Sequence, residues 1–249
     1  MSQSPAPTER PDYGIDAPKD LRRNTLYGAG GIAMGIILFL LSEGGALGIF
    51  FAVISFISGI VLLINVAVAY RGSKVGKLRL RDKVLGTMAW RGDERVLDIG
   101  CGNGLLVIGA AKHLTTGRAI GIDMWQDYSG PGNGTATALH NAELEGVSNR
   151  VDVRPGDARD LPYDNNDFDV VLSSWVIHEM LDPDERVRVL KEIARVLKPG
   201  GRAVIIDTDF ANEYVRFFKD REWQDVEKSK PEYLFFTPSY VVRATKPLR

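Results

Sequence analysis

The residues best suited to chemistry lie in one short segment, Asp98-Ile99-Gly100-Cys101-Gly102-Asn103-Gly104. Three alternating glycines follow an apolar run typical of a buried strand and precede a run typical of a helix. Glycine allows a tight turn and lets a ligand approach the backbone at the helix N-terminus. The segment therefore predicts a ligand-binding turn at the carboxyl end of a strand, where open α/β sheets bind their ligands.

Acidic residues near this turn indicate which ligand it holds. The spacing is GxGxG, and Leu105 stands where the dinucleotide-binding fingerprint has glycine or alanine. Asp98 would repel a pyrophosphate, whereas it suits a ligand that carries an ammonium group. Asp123 ends the next predicted strand and can accept hydrogen bonds from ribose hydroxyls. A ligand with a ribose and a positive charge but no phosphate is S-adenosylmethionine.

Further segments extend this pattern along the chain. Gly156-Asp157-Ala158 follows a third predicted strand, residues 168–174 form a fourth, and residues 195–201 lead into a fifth. With these motifs the chain resembles the class I S-adenosylmethionine-dependent methyltransferases, in the small-molecule branch that includes ubiquinone and menaquinone methylation enzymes. The resemblance covers residues 95–201 strongly and continues to residue 246 more loosely. It implies S-adenosylmethionine as cofactor and a seven-stranded sheet whose last strand is antiparallel.

The resemblance also implies a set of cofactor-binding residues around the methionyl, ribose and adenine parts. They are Asp98, Gly100, Cys101, Gly102, Asn103, Gly104, Asp123, Met124, Gly156, Asp157, Ala158 and Ser173. Asp123 would hold the ribose, Met124 would lie beside the adenine, and Asp157 would meet the adenine amino group. The loop 125–134 departs from the usual pattern because it is longer and rich in glycine. It caps the adenine, helps to form the acceptor pocket, or is an ordinary surface loop.

His178 is the candidate catalytic residue. It follows the fourth predicted strand, near the expected methyl acceptor, and imidazole titrates near neutrality. A structural histidine is the alternative, because methyl transfer can depend mainly on alignment and desolvation. Cys101 has no evident base nearby and fits the turn as a small side chain. His113 and His140 are scattered in the sequence, so no metal site is predicted.

Composition and charge exclude several classes of function. The 249 residues carry 31 basic and 32 acidic side chains, a net charge of −1, which excludes a globally basic nucleic-acid binder. Ser173-Ser174-Trp175-Val176 stands where adenine or cytosine amino methylation needs an Asn-Pro-Pro-Tyr type of motif. No nucleic-acid partner is therefore expected. A single cysteine excludes an intrachain disulfide.

Apolar residues concentrate in a segment near the N-terminus. Residues 26–41 and 47–70 contain no charged side chain, and Ser42-Glu43-Gly44-Gly45-Ala46 between them is typical of a turn. Since about 20 apolar residues span a bilayer as a helix, the segment predicts a transmembrane hairpin. A buried core hairpin is disfavoured because the rest of the chain is too small to cover it. A cleaved signal peptide is disfavoured by the long polar stretch before the first run.

Basic residues at the ends of this segment predict its topology. Arg22 and Arg23 precede it, six basic residues follow it between Arg71 and Lys83, and the turn has none. The positive-inside rule then gives a two-pass protein of the cell membrane with both termini and the catalytic domain in the cytoplasm. The stretch 71–83 is expected to attract anionic lipid headgroups. Two small-residue pairs allow close helix packing, or simply reflect the frequency of glycine in membrane helices: Gly31 with Gly35, and Ser55 with Gly59.

The elements that position the candidate site alternate between strand and helix. Strands are predicted at 95–99, 119–122, 150–154, 169–173 and 203–207, helices at 105–113, 135–145, 183–197 and 212–227, and a hairpin at 232–237 with 240–245. The alternation predicts a mostly parallel sheet with helices on both faces, to which the hairpin adds at least one antiparallel strand. Together with what the resemblance implies, the expected fold is α/β, a Rossmann-like, doubly wound sheet of seven strands with an antiparallel last strand, preceded by two transmembrane helices. The expected organisation is a disordered cytoplasmic tail (1–23), a transmembrane hairpin (24–72) and a methyltransferase domain (73–249).

These features together predict a membrane-anchored methyltransferase. Class I enzymes often build their acceptor lid from elements before the first strand, and here those elements connect directly to the hairpin. A small lipophilic acceptor, such as a quinone precursor or a lipid, is therefore expected. The alternative is a non-catalytic, membrane-anchored regulatory protein that binds S-adenosylmethionine. The three acids Asp98, Asp123 and Asp157 argue against that alternative, and the sequence leaves the oligomeric state open.

Overall fold

The computed structural model describes residues 9–125, 134–234 and 237–248. They form two compact units. Residues 9–14, 78–232 and 238–248 of the described chain make up the first, the sheet unit, and residues 15–77 with 233, 234 and 237 make up the second, the helical unit. This division differs from the expected boundaries at 23 and 72, because chain from both sides of the hairpin contributes to the sheet unit.

The sheet unit contains one seven-stranded sheet in the order β3-β2-β1-β4-β5-β7-β6. Its strands are β1 (Arg95–Ile99), β2 (Arg118–Asp123), β3 (Val151–Pro155), β4 (Phe168–Ser174), β5 (Leu197–Asp207), β6 (Gln224–Lys228) and β7 (Tyr240–Thr245). Strands β1 to β5 pair in parallel, β7 pairs antiparallel with β5, and β6 pairs antiparallel with β7. The predicted α/β, Rossmann-like fold with an antiparallel last strand is confirmed.

Helices precede β1 and connect most of the strands, including every consecutive pair that is parallel, as parallel pairing requires. They are α3 (Lys77–Gly86), which precedes β1, then α4 (Leu105–Ala111), α5 (Thr135–Leu144), α6 (Pro183–Val196) and α7 (Ala211–Lys219). The central strands are buried along almost their whole length, and Leu97, Ile99 and Leu172 are fully buried. Strands covered on both faces need such continuous apolar runs. The rigid centre of the sheet therefore holds the carboxyl ends of β1 and β4, where the glycine turn begins.

The C-terminal elements differ from the sequence prediction. The helix expected over 212–227 ends at Lys219, and residues 224–228 form strand β6. Trp223 is buried against Phe218, with ring centroids 4.6 Å apart, and Glu222 has a positive φ of 56°. Burial of this indole therefore turns the chain out of the helix. The strand expected at 232–237 is only an isolated bridge between Glu232 and Ser239, and residues 235 and 236 lie outside the described residues.

The helical unit consists of α1 (Pro18–Leu41) and α2 (Ala46–Arg71), and a π-helical segment (Gly72–Gly76) continues α2 into α3. By length and composition, α1 and the continuous helix Ala46–Gly86 are each able to cross a membrane. Only 11% of the most apolar window of each is buried, whereas a core helix of a soluble protein is mostly buried. Of the 25 large apolar side chains exposed in the described chain, 19 lie between Leu26 and Tyr70.

Small residues bring α1 and α2 together. A Cβ atom on Gly59 would lie 2.6 Å from the Gly28 carbonyl oxygen, and one on Gly35 would lie 2.9 Å from the Ala52 carbonyl oxygen. The Ser55 hydroxyl donates a 3.0 Å hydrogen bond to the Gly31 carbonyl. Of the two explanations for the small-residue pairs, the structure therefore favours close packing between the helices.

The flanks of the hairpin differ from the sequence expectations in two details. Residues 9–23 do not form a disordered tail, because Tyr13 is buried and α1 begins at Pro18. Two basic side chains of the stretch 71–83 are also unavailable to lipid headgroups. Lys77 is buried beside Asp16, at 3.2 Å, and Arg81 is buried beside Asp82, at 2.7 Å. A buried cation needs such partners, because an unpaired charge is costly to remove from water.

Candidate active site

The glycine turn lies between β1 and α4, as predicted. Gly100, Gly102 and Gly104 have φ values of 69°, 50° and 90°, which residues other than glycine rarely adopt. The N–H groups of Gly100 and Cys101 donate to the Ile122 carbonyl at 2.8 and 3.0 Å. The turn is therefore fixed to the carboxyl end of the neighbouring strand β2.

The space around the three glycines differs. A Cβ atom on Gly100 would lie 2.1 Å from Cγ2 of Val176, so this glycine lies beneath the segment that follows β4. A Cβ atom on Gly102 would meet no described atom within 4 Å. Cys101 packs its sulfur against Gly121 of β2, which agrees with its interpretation as a small side chain that fits the turn. The turn therefore has one open position, at Gly102, where a ligand can reach the backbone.

Asp98 is fully buried directly below the turn. Its Oδ2 accepts a 2.8 Å hydrogen bond from the Val107 N–H at the start of α4. Its Oδ1 is buried and has no hydrogen-bond partner among the described residues. Burial and the neighbouring Asp123 carboxylate raise the pKa of Asp98 well above its ordinary value, against the opposing effect of the Val107 hydrogen bond. None of the groups that shift the pKa of Asp98 is positively charged.

Asp123 ends β2 and holds two loops in place. Its Oδ2 accepts a 2.8 Å hydrogen bond from the Gly102 N–H, and its Oδ1 accepts one of 2.8 Å from the Trp125 N–H. The Trp125 indole Nε1 donates back to the Gly102 carbonyl at 3.3 Å. Each carboxylate oxygen has two lone pairs, so Asp123 can keep both backbone bonds and still accept two hydroxyl donors.

Unpaired polar atoms at this edge of the sheet fit a small polar ligand. Besides Asp98 Oδ1, the Ser173 Oγ and Asn103 Oδ1 atoms are buried without a hydrogen-bond partner in the described chain. Ser173 pairs directly with Ile99, so its hydroxyl lies at the same edge as the glycine turn. Buried polar groups left unpaired are costly, and such groups often mark a ligand that completes them. This set suits S-adenosylmethionine, whose ammonium and hydroxyl groups are donors.

The predicted adenine-binding residues are brought to the same edge, with one difference. The Gly156 N–H donates to the Asp123 carbonyl at 3.1 Å, Ala158 is buried, and the Met124 side chain is 40% exposed. The Asp157 carboxylate is bound by Arg159, whose Nη2 lies 2.8 Å from Oδ2, and this interaction lowers the pKa of Asp157. An adenine amino group would have to share that carboxylate with Arg159. Residues 126–133 of the unusual loop lie outside the described residues.

Residues 9–14 form a strap against the glycine turn, which the sequence did not predict. The Asn141 side chain on α5 accepts from the Asp12 N–H at 2.9 Å and donates to the Asp12 carbonyl at 2.9 Å. The same amide donates to the Asn103 carbonyl at 3.0 Å. Asn141 therefore connects the strap to the turn.

Tyr13 anchors the strap. Its hydroxyl donates to Glu145 Oε1 at 3.0 Å and accepts from Arg81 Nη1 at 3.3 Å. Burial and the Glu145 carboxylate raise the pKa of Tyr13, so it stays a neutral donor. No sequence pattern marked these contacts, because the strap and its partners are separated by 68 to 132 residues.

His178 lies in a short 3-10 segment after β4, and its partner is Asp207 at the end of β5. Its ring Nδ1 lies 2.5 Å from Asp207 Oδ1 but has no hydrogen-bond partner among the described residues, whereas its backbone N–H donates to Asp207 Oδ2 at 3.1 Å. The Tyr214 hydroxyl donates to the same Oδ2 at 3.0 Å. Asp207 was predicted only as the end of a strand. The adjacency of β4 and β5 was the signal that could have identified it, because carboxyl ends of neighbouring parallel strands meet.

The other two histidines lie outside this site. His113 stacks on Trp90, with ring centroids 5.3 Å apart, and His140 lies 3.1 Å from Glu9. Over residues 9–125, 134–234 and 237–248, no group of three or more His, Cys, Asp and Glu side chains could hold a metal ion.

Comparison with known proteins decides the class of the sheet unit. Residues 97–205 match a family model described as a methyltransferase domain. The sheet unit has the fold of the class I S-adenosylmethionine-dependent methyltransferases, and its residues 97–205 are similar to a methyltransferase domain. The match includes the glycine turn and the three site residues at the strand ends, Asp98, Asp123 and Ser173. S-adenosylmethionine is the cofactor of this class, and the donor set described above fits it.

Named relatives share the methyltransferase domain. Demethylmenaquinone methyltransferase of Staphylococcus aureus (strain MRSA252) is 32% identical over 146 residues, which cover 56% of each chain. The chloroplastic 2-phytyl-1,4-beta-naphthoquinone methyltransferase of Arabidopsis thaliana is 32% identical over 135 residues, 53% of this chain and 49% of that protein. The chain spans about half the length of the curated relatives it matches.

Solved structures show the same fold. A methyltransferase of Methanosarcina mazei, described as S-adenosylmethionine-dependent, has a TM-score of 0.54 and 19% identity, and the similarity covers 67% of this chain and 98% of that one. The cyclase SpnF has a TM-score of 0.56 and 21% identity, with 69% of this chain and 82% of that one covered. Since a cyclase shares the fold, the fold alone does not establish methyl transfer.

Proposed function

We propose that the protein is a membrane-anchored enzyme that transfers the methyl group of S-adenosylmethionine to a small lipophilic acceptor. The observation that carries this proposal is the buried, unpaired Oδ1 of Asp98 directly below the glycine turn. A carboxylate in this position suits a cationic ligand, because an opposite charge offsets the cost of burial. The methyltransferase-domain match and the Asp123 carboxylate at the adjacent strand end support the same ligand.

The residues of the domain bind and orient the two substrates. Asp98 and Asn103 face the methionyl part, and Asp123 accepts from the ribose. The cofactor supplies a methyl group on a sulfonium, which a nucleophile can attack in line. Alignment in a site that excludes water supplies much of the rate, so the chain needs few groups that react. The acceptor side would be lined by the end of β5 and by the segment after β4, which contains His178.

Two observations support a lipophilic acceptor. Two of the relatives are named for quinone substrates, demethylmenaquinone and 2-phytyl-1,4-beta-naphthoquinone. The helical unit exposes 19 large apolar side chains between Leu26 and Tyr70, and water cannot solvate that much apolar area without cost. An enzyme held at a bilayer meets acceptors that are dissolved in it.

The path of the chain supports a two-pass topology. Residues 9–14 and 78 onwards belong to the same compact unit, so both ends of the hairpin start and finish on one side of any membrane that it crosses. Two crossings satisfy this condition and one does not. Arg22, Arg23 and Arg71 flank the crossings and the turn Ser42–Gly45 has no basic residue, so the positive-inside rule puts the domain in the cytoplasm.

Methyl transfer can be tested with the full chain and labelled cofactor. We expect purified protein in detergent to transfer tritium from methyl-labelled S-adenosylmethionine to an organic-soluble product in a lipid extract of the source cell's membranes. Omission of the extract is the control. Binding of the cofactor in calorimetry without any labelled product, across the extract and soluble acceptors, would favour the regulatory alternative.

The topology has a separate test. We expect Glu43→Cys, in the turn between α1 and α2, to react with a membrane-impermeant maleimide in intact cells. Arg118→Cys, at the exposed start of β2, should react only after the cells are permeabilised. The native Cys101 is buried and gives little background. Labelling of Arg118→Cys in intact cells would contradict the proposed orientation, and carbonate extraction of the protein would contradict membrane insertion.

A further inference from the structure

Asn141 on α5 joins the strap to the glycine turn with three hydrogen bonds. Its Oδ1 accepts from the Asp12 N–H, and its Nδ2 donates to the carbonyls of Asp12 and Asn103, at 2.9 and 3.0 Å. An amide nitrogen carries two hydrogens, so both donors of Asn141 are used within the chain. Asn141 is almost fully buried, and it therefore has no donor left for a ligand.

The Asp12 carbonyl determines how the Asn103 amide is oriented. It accepts a second donor, the Nδ2 atom of Asn103, at 3.4 Å. A carbonyl oxygen cannot donate, so the end of Asn103 that faces it must be the amide nitrogen, and Oδ1 lies at the other end. That Oδ1 atom is buried and has no hydrogen-bond partner among the described residues. The strap therefore leaves one acceptor of the turn in need of a donor.

The ammonium group of S-adenosylmethionine is the donor that suits this acceptor. Asp98 Oδ1, below the same turn, is also buried without a partner in the described chain. An ammonium group carries three donors, enough for both oxygen atoms. The ribose hydroxyls have an acceptor of their own in Asp123, at the end of β2. Asn103 and Asp98 are therefore the acceptors that remain for the methionyl part.

We propose that Asn141 and the strap position Asn103, so that its Oδ1 faces the cofactor and accepts a hydrogen bond from the ammonium group. Asn141 is then a positioning residue, because it acts on the ligand only through Asn103. The inference rests on cofactor binding at the glycine turn in the proposed function, and it does not depend on the acceptor. It makes a segment 91 residues before Asn103 part of the methionyl site.

Tyr13 offers a second way to disturb the strap without a change at the turn. Its hydroxyl bonds to Glu145 at the end of α5 and to Arg81 on α3. When that hydroxyl is removed, Glu145 still has Arg81 at 3.7 Å and Lys112 at 2.6 Å, so its charge stays compensated. Tyr13→Phe should therefore loosen the strap beside Asp12 while the rest of the network is unchanged.

Comparison of two ligands tests the proposal without turnover. S-adenosylhomocysteine carries the ammonium group, whereas 5′-methylthioadenosine has the same adenine, ribose and thioether sulfur but lacks it. We expect Asn141→Leu to weaken binding of S-adenosylhomocysteine about tenfold, as for loss of one hydrogen bond to a charged group, and binding of 5′-methylthioadenosine less than about twofold. Tyr13→Phe should show the same selectivity with a smaller effect, about threefold. Isothermal titration calorimetry on the full chain in detergent measures both ligands.

Two further variants separate positioning from a structural effect. Asn149→Leu makes the same substitution at an exposed site after α5 and should leave both affinities unchanged. Asn103→Ala removes the acceptor itself and should weaken S-adenosylhomocysteine at least as much as Asn141→Leu does. In the Asn103→Ala background, Asn141→Leu should then have no further effect on the ratio of the two affinities, because residues that act through one contact are not additive.

Three results would count against these proposals. Unchanged or equally reduced affinities for the two ligands, in folded Asn141→Leu and Tyr13→Phe, would overturn this inference, because the strap would then only support the turn. A further loss of selectivity from Asn141→Leu in the Asn103→Ala background would also overturn it. No binding of S-adenosylmethionine or S-adenosylhomocysteine to the wild-type protein would defeat the proposed function itself.

Discussion

Asp123→Ala is expected to weaken binding of S-adenosylmethionine by about 100-fold or more. A hydrogen bond to a charged group contributes about 1.5–3 kcal/mol, and Asp123 has lone pairs for two ribose hydroxyls after its two backbone bonds are counted. The substitution also removes the acceptor of the Gly102 and Trp125 N–H groups, so neither loop is held in its binding conformation. Isothermal titration calorimetry on the full chain in detergent measures the effect.

A matched control separates this effect from a general loss of charge. Asp152→Ala removes a carboxylate from β3 that pairs with the exposed Arg154, far along the strand from the cofactor edge. We expect its affinity for S-adenosylmethionine to equal that of wild type. Equal affinity of Asp123→Ala and wild type would show that the ribose lies elsewhere, and the assignment of this edge of the sheet would be wrong.

Gly100→Ala is expected to destabilise the folded domain by about 2–5 kcal/mol. A left-handed backbone conformation costs a residue with a side chain about 1–2 kcal/mol, and insertion of a methyl group into a packed region costs about 1–3 kcal/mol. Both apply at Gly100, which has a φ of 69° and where a Cβ atom would lie 2.1 Å from Val176. Denaturant unfolding followed by tryptophan fluorescence measures the change.

Gly102→Ala provides the contrast within the same turn. Its φ of 50° is also left-handed, but a Cβ atom would enter open space, so we expect a loss of only about 1–2 kcal/mol of stability. The same methyl group would occupy the position where the ligand approaches the backbone. We therefore expect Gly102→Ala to bind S-adenosylmethionine about tenfold or more weakly while the domain stays folded. Wild-type affinity in this variant would mean that the ligand does not approach Gly102.

The sequence was sufficient for the parts of the site that local chemistry determines. The alternating glycines after a buried strand need positive φ values, and Asp98 and Asp123 end adjacent strands, so the pattern itself located the turn and the two acids. The order of strands and helices was enough for the sheet, because parallel strands need helical connections and the resemblance supplied the antiparallel last strand. The hairpin followed from the length of two uncharged runs.

Contacts between distant residues could not be predicted in the same way. Asn141 lies in an ordinary helical segment, and its bonds to Asp12 and Asn103 depend on how α5 packs. Residues 212–227 contain good helix formers, but burial of Trp223 against Phe218 ends the helix at Lys219. Lys77 and Arg81 fit a basic stretch in the sequence, whereas their burial depends on partners on other segments. The proximity of Asp207 to His178 depends on the pairing of β4 with β5, which the sequence does not show.

The strap also imposes an order on synthesis of the protein. Asp12 bonds to Asn141, 129 residues later, so residues 9–14 leave the ribosome long before their partners exist. They can dock only after translation has passed Glu145, the partner of Tyr13. The cost of closing a loop of this length grows only slowly with the number of residues, so the delay is tolerable. A chain released before Glu145 would leave Tyr13 and the cationic Arg81 without this shared partner.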